Sequence, residues 1–268
     1  MRWLLLLVYS GAGAALYGGW AYAAVERSNF VAWLLWWLLV WLWAAVGWRL
    51  CAGGKLRWWQ LGAAAMGWRL LWGWTLPLLS DDFWRFLWDG HLLAAGKSPF
   101  AHTPRAWLQA YIGGDGFYAQ AFPYLNSPDY YSLYPPLSQL WFYLGAVCGG
   151  ESIEGQVLSL RLWLWGAECA AVVGLWRWLR VEGIEERYAL LWLLNPFVIV
   201  EFSGNLHFEL VQAAFLFWAM YFWRQGRYWG WSLMFAAAVL CKLIPLLLMP
   251  IFFFALPTWR WRLGTSAL

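Results

Sequence analysis

The sequence predicts an all-α polytopic membrane protein folded as one transmembrane domain over residues 1–268. Three observations predict it. The chain is 63% hydrophobic, with 28 tryptophans and a mean hydropathy of +0.52, which is beyond the usual range of a soluble domain. Its apolar runs approach the roughly 20 residues that cross a bilayer. Charge is sparse, at 12% of residues, and gathers between those runs. There is no basic run and no soluble domain, so nucleic acid is not expected as a partner. Cys51, Cys148, Cys169 and Cys241 lack CxxC spacing and indicate neither a zinc site nor a disulfide framework.

The first apolar segment, 3–24, begins Arg2-Trp3 and ends near Ala21-Tyr22-Ala23, a pattern shared with cleavable signal peptides. Its length and the helices that follow make it the first membrane helix. Segments 30–48 and 58–79 come next, separated by a loop with Arg49, Lys55 and Arg57 and no acid. Positive loops stay cytoplasmic, so the polar excursion 80–135 is expected outside. The excursion agrees, with Asp81, Asp82, Asp89, Asp115 and Asp129 against Arg85, Lys97 and Arg105. Segment 136–148 is short enough to be re-entrant or interfacial rather than spanning. Spans at 156–179, 188–203, 208–223 and 229–256 complete the pattern. With 136–148 not crossing, Ser203 to Glu209 shares the outer side with the acidic loop. Arg260 and Arg262 then also fall outside unless 229–256 folds back near Pro245.

Chemistry concentrates first in Ser80 to Pro104, SDDFWRFLWDGHLLAAGKSPFAHTP. Ser80-Asp81-Asp82 is a sound helix start, with acids favoured at the N-terminal dipole. On that helix Asp82, Arg85, Phe86 and Asp89 share one face, and Arg85 lies one turn from Asp81 and Asp82. Gly96 can end the helix. Lys97 could meet an anionic head group or simply snorkel. His102 reads as a loop residue. Downstream, Pro135-Pro136 starts a helix, and Tyr134 beside it could stack on a sugar ring. Asn195-Pro196 breaks a membrane helix, and Glu201, Asn205, His207 and Glu209 follow in EFSGNLHFE. Polar groups there are costly unless they line a wet cavity, although a plain loop would also hold them. Lys242, inside an apolar run, calls for a cavity or an anionic partner, and Arg69 and Glu168 invite the same reasoning or a structural pairing.

Taken together, SDDFWRFLWDG, LLAAGKSPFAHTP, SLYPPL, LLNPFVIVEFSGNLHFE and CKLIPLLLMP, in that order, resemble the bacterial GT-C glycosyltransferases of the polyprenol-phosphate-mannose-dependent group. The chain is more distantly similar to GPI mannosyltransferase I, the protein O-mannosyltransferases and the aminoarabinose transferases. The resemblance covers about residues 65 to 255. It implies a GT-C-like helix bundle in the bacterial inner membrane with its site on the extracytoplasmic face. It also implies inverting transfer of a sugar, mannose by this likeness, from a polyprenyl-phosphate donor to a lipid, glycan or protein acceptor. By position Asp82 matches the general base, with Asp81 as its neighbour and substitute. Arg85, Asp89, Lys97, Tyr134, Asn205, His207, Glu209 and Lys242 are the donor-binding candidates. Members have around a dozen helices, whereas this chain stops after seven or eight, at TWRWRLGTSAL, and is expected to be truncated at its C-terminus.

The chemistry is self-consistent. A hydroxyl attacking an anomeric carbon needs a carboxylate to take its proton, and the departing phosphate needs a cation. No cofactor is required beyond the lipid-linked donor. An outer carboxylate pair could hold a divalent ion, but with three histidines and no ligand spacing no metal site is assigned. Partners are membrane lipid and the donor itself; oligomeric state is not set by the sequence. A transporter or lipid flippase is the alternative, which midplane charges and an inverted repeat would favour.

Overall fold

The computed structural model describes residues 1–23, 25, 27–112, 116–259 and 264, with the backbone alone at Tyr111 and Ile112. Asp115, Arg260 and Arg262 lie outside that set. Among the described residues there is no strand. The helices are α1 (Arg2–Tyr22), α2 (Phe30–Ala52), α3 (Trp58–Arg69), α4 (Asp82–Ala94), α5 (Pro104–Trp107), α6 (Gly116–Ala121), α7 (Pro136–Cys148), α8 (Ile153–Val181), α9 (Leu190–Leu193), α10 (Pro196–Val198), α11 (Glu209–Arg224), α12 (Tyr228–Cys241) and α13 (Met249–Ala255). Helices α1, α2 and α8 have the length and apolarity to cross a membrane. The molecule is an all-α membrane protein.

Helix α2 shows why. Asn29 caps it, its Oδ1 accepting from the Ala32 N–H at 3.1 Å. From there the sequence is apolar on every side, and Leu34, Leu35, Leu38, Leu39 and Leu42 stay exposed. A helix apolar all round needs either a core or lipid around it. The inner faces of α1, α2 and α3 bury Tyr9, Tyr17, Trp20, Trp33 and Trp68 in one cluster with Leu190 and Leu193 of α9. A second core joins Phe83 and Phe86 of α4, Phe142 of α7, Leu160 and Leu164 of α8, and Phe208 with Val211 of the α11 start. Close approach makes the second core possible. A Cβ at Gly90 would lie 2.3 Å from the Phe142 carbonyl oxygen, so only glycine lets α4 meet α7 there.

Two arginines fasten these halves. Arg69 of α3 donates from Nε to Glu168 Oε2 of α8 at 2.7 Å, both side chains fully buried. Its Nη1 also reaches the carbonyls of Ala65 and Leu193. Arg161 of α8 donates to the carbonyls of Gly73, Thr75, Ser203 and Gly204.

Several expected segments are interrupted. The run 58–79 is helical only to Arg69, tightens into a 3₁₀ turn over Leu70–Trp72 and then leaves the helix. Its last carbonyls are taken by Arg161, and Pro77 could not donate to a continuing helix. The run 188–203 is split at Asn195-Pro196. The Asn195 side chain accepts from the Phe197 N–H at 3.0 Å, and α10 passes into a π-helical turn over Ile199–Gly204. The run 229–256 breaks at Lys242, whose backbone is extended; a 3₁₀ turn over Ile244–Leu248 and then α13 follow. Helix α8, at Ile153–Val181, exceeds the expected 156–179 because Ser152 caps it, accepting from the Gly155 N–H at 3.0 Å.

Replacing Glu168 by Leu leaves the Arg69 guanidinium buried without its carboxylate. Thermal unfolding in detergent should show a loss of about 3–5 kcal/mol, and the double variant Arg69→Met, Glu168→Leu should recover most of it.

Candidate active site

The acidic helix begins one residue later than an N-cap at Ser80 would give. The Ser80 hydroxyl accepts from the Asp82 N–H at 3.3 Å, and Asp81 occupies the cap position without capping. Its carboxylate turns instead to Arg27, which donates to both oxygens at 2.9 and 2.6 Å. That guanidinium holds the Asp81 carboxyl below the usual range. At the other end Gly96, with φ of 69°, closes α4. The Lys97 N–H donates to Leu92 O at 2.8 Å and the Gly96 N–H to Leu93 O at 2.9 Å, the paired bonds of a Schellman motif.

Along the shared face the roles separate. Arg85 does not pair with Asp81 or Asp82. Its Nε donates to Asp89 Oδ1 at 3.0 Å, and its Nη1 donates to the carbonyls of Ser127 and Tyr130 at 3.2 and 3.1 Å. Asp89 Oδ2 accepts from the Ser132 hydroxyl and from Gln139 Nε2 at 2.9 Å. Asp89 is fully buried, and that burial pushes its carboxyl up against the pull of Arg85, Ser132 and Gln139. This knot pins the 127–132 loop onto α4 and α7. Asp82 sits one turn nearer the helix start than Arg85, where its Oδ1 accepts from Asn126 Nδ2 at 2.7 Å.

Asp82 opens onto a cavity of about 450 Å³. Tyr134, Ser138, His207, Glu209 and Lys242 supply the other polar walls; Phe86, Phe208, Leu243 and Ile244 supply apolar ones. Tyr134 packs edge-on against Phe86 and Phe142, both at 5.1 Å between ring centres, and burial pushes its phenol up. Pro136 at the first position of α7 sets this approach. Ser138 donates to the Cys241 carbonyl at 2.7 Å, and the Lys242 carbonyl accepts from Gln212 at 2.9 Å. The end of α12 is thereby fixed to α7 and α11. The Lys242 ammonium contacts Glu209 Oε1 directly.

His207 is held from behind. Its Nδ1 lies 3.2 Å from Glu201 Oε2, the same oxygen that accepts from Asn205 Nδ2 at 3.1 Å. Asn205 Oδ1 in turn accepts from the Leu79 N–H at 3.2 Å, joining this segment to the loop before α4. Between them Leu206 has φ of 60° and is fully buried. A left-handed leucine is strained, and it persists here because the surrounding core fixes it.

Of the sequence candidates, Asp82, Tyr134, His207, Glu209 and Lys242 line one cavity. Asp81, Arg85, Asp89 and Asn205 stand behind it in other pairings. Lys97 lies 5.4 Å over the Trp107 ring, away from the cavity. Arg27, Asn126, Ser132, Gln139 and Arg161 were not singled out by the sequence. Arg161 alone carried a signal, an ionisable residue inside an apolar helix, which is the rule that marked Lys242. Among the described residues no three His, Cys, Asp or Glu side chains gather as metal ligands.

Comparison with known proteins adds the family. Residues 10–258 match the family model described as alpha-(1->6)-mannopyranosyltransferase, N-terminal domain. The chain belongs to this family. It is also 32% identical over 147 residues to alpha-(1->6)-mannopyranosyltransferase B of Corynebacterium glutamicum, covering 53% of this chain. The match spans 23% of that longer protein. No solved structure matches. The five cavity-lining candidates all lie within the region that matches the mannopyranosyltransferase domain.

The two carboxylates of α4 should respond differently to substitution. Asp89→Leu strands buried Arg85 and should cost about 3–5 kcal/mol. Asp82→Asn should change stability by no more than about 0.5 kcal/mol. Thermal melts of both variants in one detergent check the contrast.

Proposed function

We propose that this domain carries the catalytic loop of a membrane mannosyltransferase that uses a polyprenyl-phosphate sugar and inverts the anomeric centre, with Asp82 as general base. One observation carries the reading. Among the described acidic residues of the 80–135 loop, Asp81 is matched by Arg27, Asp89 by Arg85 and Asp129 by Arg105, while Asp82 has no ion pair and faces a cavity. A carboxylate free of a cation and open to the cavity is the one placed to take a substrate's proton.

In this reading the acceptor hydroxyl attacks the anomeric carbon as its proton passes to Asp82. The bond from that carbon to the phosphate oxygen breaks on the opposite face, and the electron pair leaves with the phosphate. Lys242 and His207, on the same cavity, meet that growing charge, and low-dielectric surroundings strengthen the contact. Leu243, Ile244 and Phe208 offer an apolar wall to the first isoprene units.

The fold supports an outer site. The Trp58 indole donates to Glu186 at 3.0 Å, and Trp48 packs tilted against Tyr188, so the 49–57 and 182–188 loops share one end of the bundle. The Arg27–Asp81 pair marks the other. Both arrangements hold if α3 and α8 cross and α7 does not. The first end then gathers Arg49, Lys55, Arg57, Arg180, Arg187, Arg224 and Arg227, which suits the cytoplasm. The acidic loop falls on the extracytoplasmic side of a bacterial inner membrane.

Asp82→Asn, assayed for transfer from polyprenyl-phosphate mannose, should lose about 10²–10⁴ of turnover. Unchanged turnover would remove Asp82 from the role. For sidedness, with Cys51, Cys148, Cys169 and Cys241 first changed to Ser, Lys55→Cys should resist an impermeant maleimide in intact spheroplasts while Tyr131→Cys is modified; the reverse pattern would invert the topology.

A further inference from the structure

A second polar cavity, of about 420 Å³, lies at the opposite end of α8, lined by Trp176, Arg177, Arg180, Val181 and Tyr221. It is some 24 Å along the helix from Arg161, at about 1.5 Å per residue. Arg177 and Arg180 are one turn apart on one face of α8. The Arg177 guanidinium lies over the rings of Trp218 and Tyr221, at 5.3 and 5.8 Å, and that of Arg180 over Trp176 at 5.0 Å. A guanidinium has five N–H donors, so one held over a ring keeps donors for a further acceptor.

Two of the acids at this end, Glu182 and Glu185, pair with other arginines, and a third, Glu186, reaches Arg180 only at long range. Glu182 pairs with Arg224 at 2.8 Å and accepts from the Trp178 indole at 3.0 Å. Glu185 pairs with Arg187 at 2.8 Å. Glu186 accepts from Trp58 and stands 3.6 Å from Arg180, a long contact. Among the described residues no carboxylate pairs with Arg177. The cavity is therefore a cationic recess whose two arginines share one distant carboxylate, that of Glu186.

An apolar groove of about 520 Å³ adjoins it between α8 and α11, with Ala167 and Ala170 on one wall and Phe215 and Trp218 on the other. Trp218 links the two: it walls the groove, its ring carries Arg177 of the recess, and it packs edge-on at 5.7 Å against Tyr221 of the recess. A cationic recess at the mouth of an apolar groove has the shape and chemistry of a lipid whose head is an anion.

We propose that this recess and groove bind an anionic phospholipid of the leaflet at the basic end, its phosphate on Arg177 and Arg180 and an acyl chain along the groove. The inference rests on the reading that α8 crosses the membrane, and it is independent of sugar transfer. A free phosphate would use the recess and leave the groove empty, whereas a zwitterionic lipid would fill the groove and bring no net charge to the arginines.

The test is native mass spectrometry of the full chain with phosphatidylglycerol, phosphatidylcholine and inorganic phosphate, alongside thermal melts. Phosphatidylglycerol adducts should persist where phosphatidylcholine is stripped. Arg177→Gln and Arg180→Gln should each lower occupancy about fivefold, and Arg177→Lys should keep more than Arg177→Gln. Phosphatidylglycerol should raise the melting temperature of the parent and not that of the folded double variant. Equal retention of the two lipids, or unchanged adducts in the double variant, would overturn the proposal. So would inorganic phosphate alone reproducing the stabilisation. Lipid binding retained in an inactive Asp82→Asn protein would separate this site from the catalytic reading.

Discussion

The Arg161 guanidinium donates to four backbone carbonyls, those of Gly73, Thr75, Ser203 and Gly204, and among the described residues it has no carboxylate partner. Those carbonyls belong to the two places where the membrane helices come undone, the loop before α4 and the π-helical turn after α10. Backbone freed from a helix at that depth must find a partner within the protein. Arg161 supplies one to both breaks at once, and the carbonyl dipoles offset the cost of burying its charge. The first break leads into Asp82 and the second into His207. Their separation across the cavity is therefore set from below by one side chain of α8.

Around that anchor, ionisable groups fall into two kinds. Arg69 with Glu168 and Arg85 with Asp89 are sealed from solvent and tie helices or loops together. Asp82, His207, Glu209 and Lys242 keep access to the cavity. The sealed pairs make the open ones meaningful, since a cavity between loosely held helices would not keep its walls in register. Leu206 shows the same rigidity in the backbone, where a left-handed leucine is tolerated between two polar residues that both reach Glu201 Oε2.

Much of this was legible in the sequence wherever the cause is local. The shared face of Asp82 and Phe86, the Gly96 stop, the Pro136 start and the break at Asn195-Pro196 all follow from capping and helical spacing. Choices of partner were not legible, because they depend on residues far along the chain. Nothing near Asp81 announces Arg27, and nothing near Arg85 favours Asp89 over Asp82 except the 127–132 loop that closes over the pair. Apolar composition likewise concealed the stops at Arg69 and Lys242. Hydropathy measures how willingly a segment leaves water, whereas these helices end where a distant donor or acid claims their backbone or side chain.

The Glu209–Lys242 contact makes the resting cavity its own counter-ion. An anion entering there does not meet a bare cation; it must exchange with a carboxylate already in place. Small anions that bring charge alone gain little over Glu209. A ligand that also lays hydrocarbon against Leu243 and Ile244 adds a gain that Glu209 cannot match, in proportion to the apolar area it covers. In the proposed reading the ion pair works as a threshold, filtering a phosphate donor by the greasiness of what it is attached to.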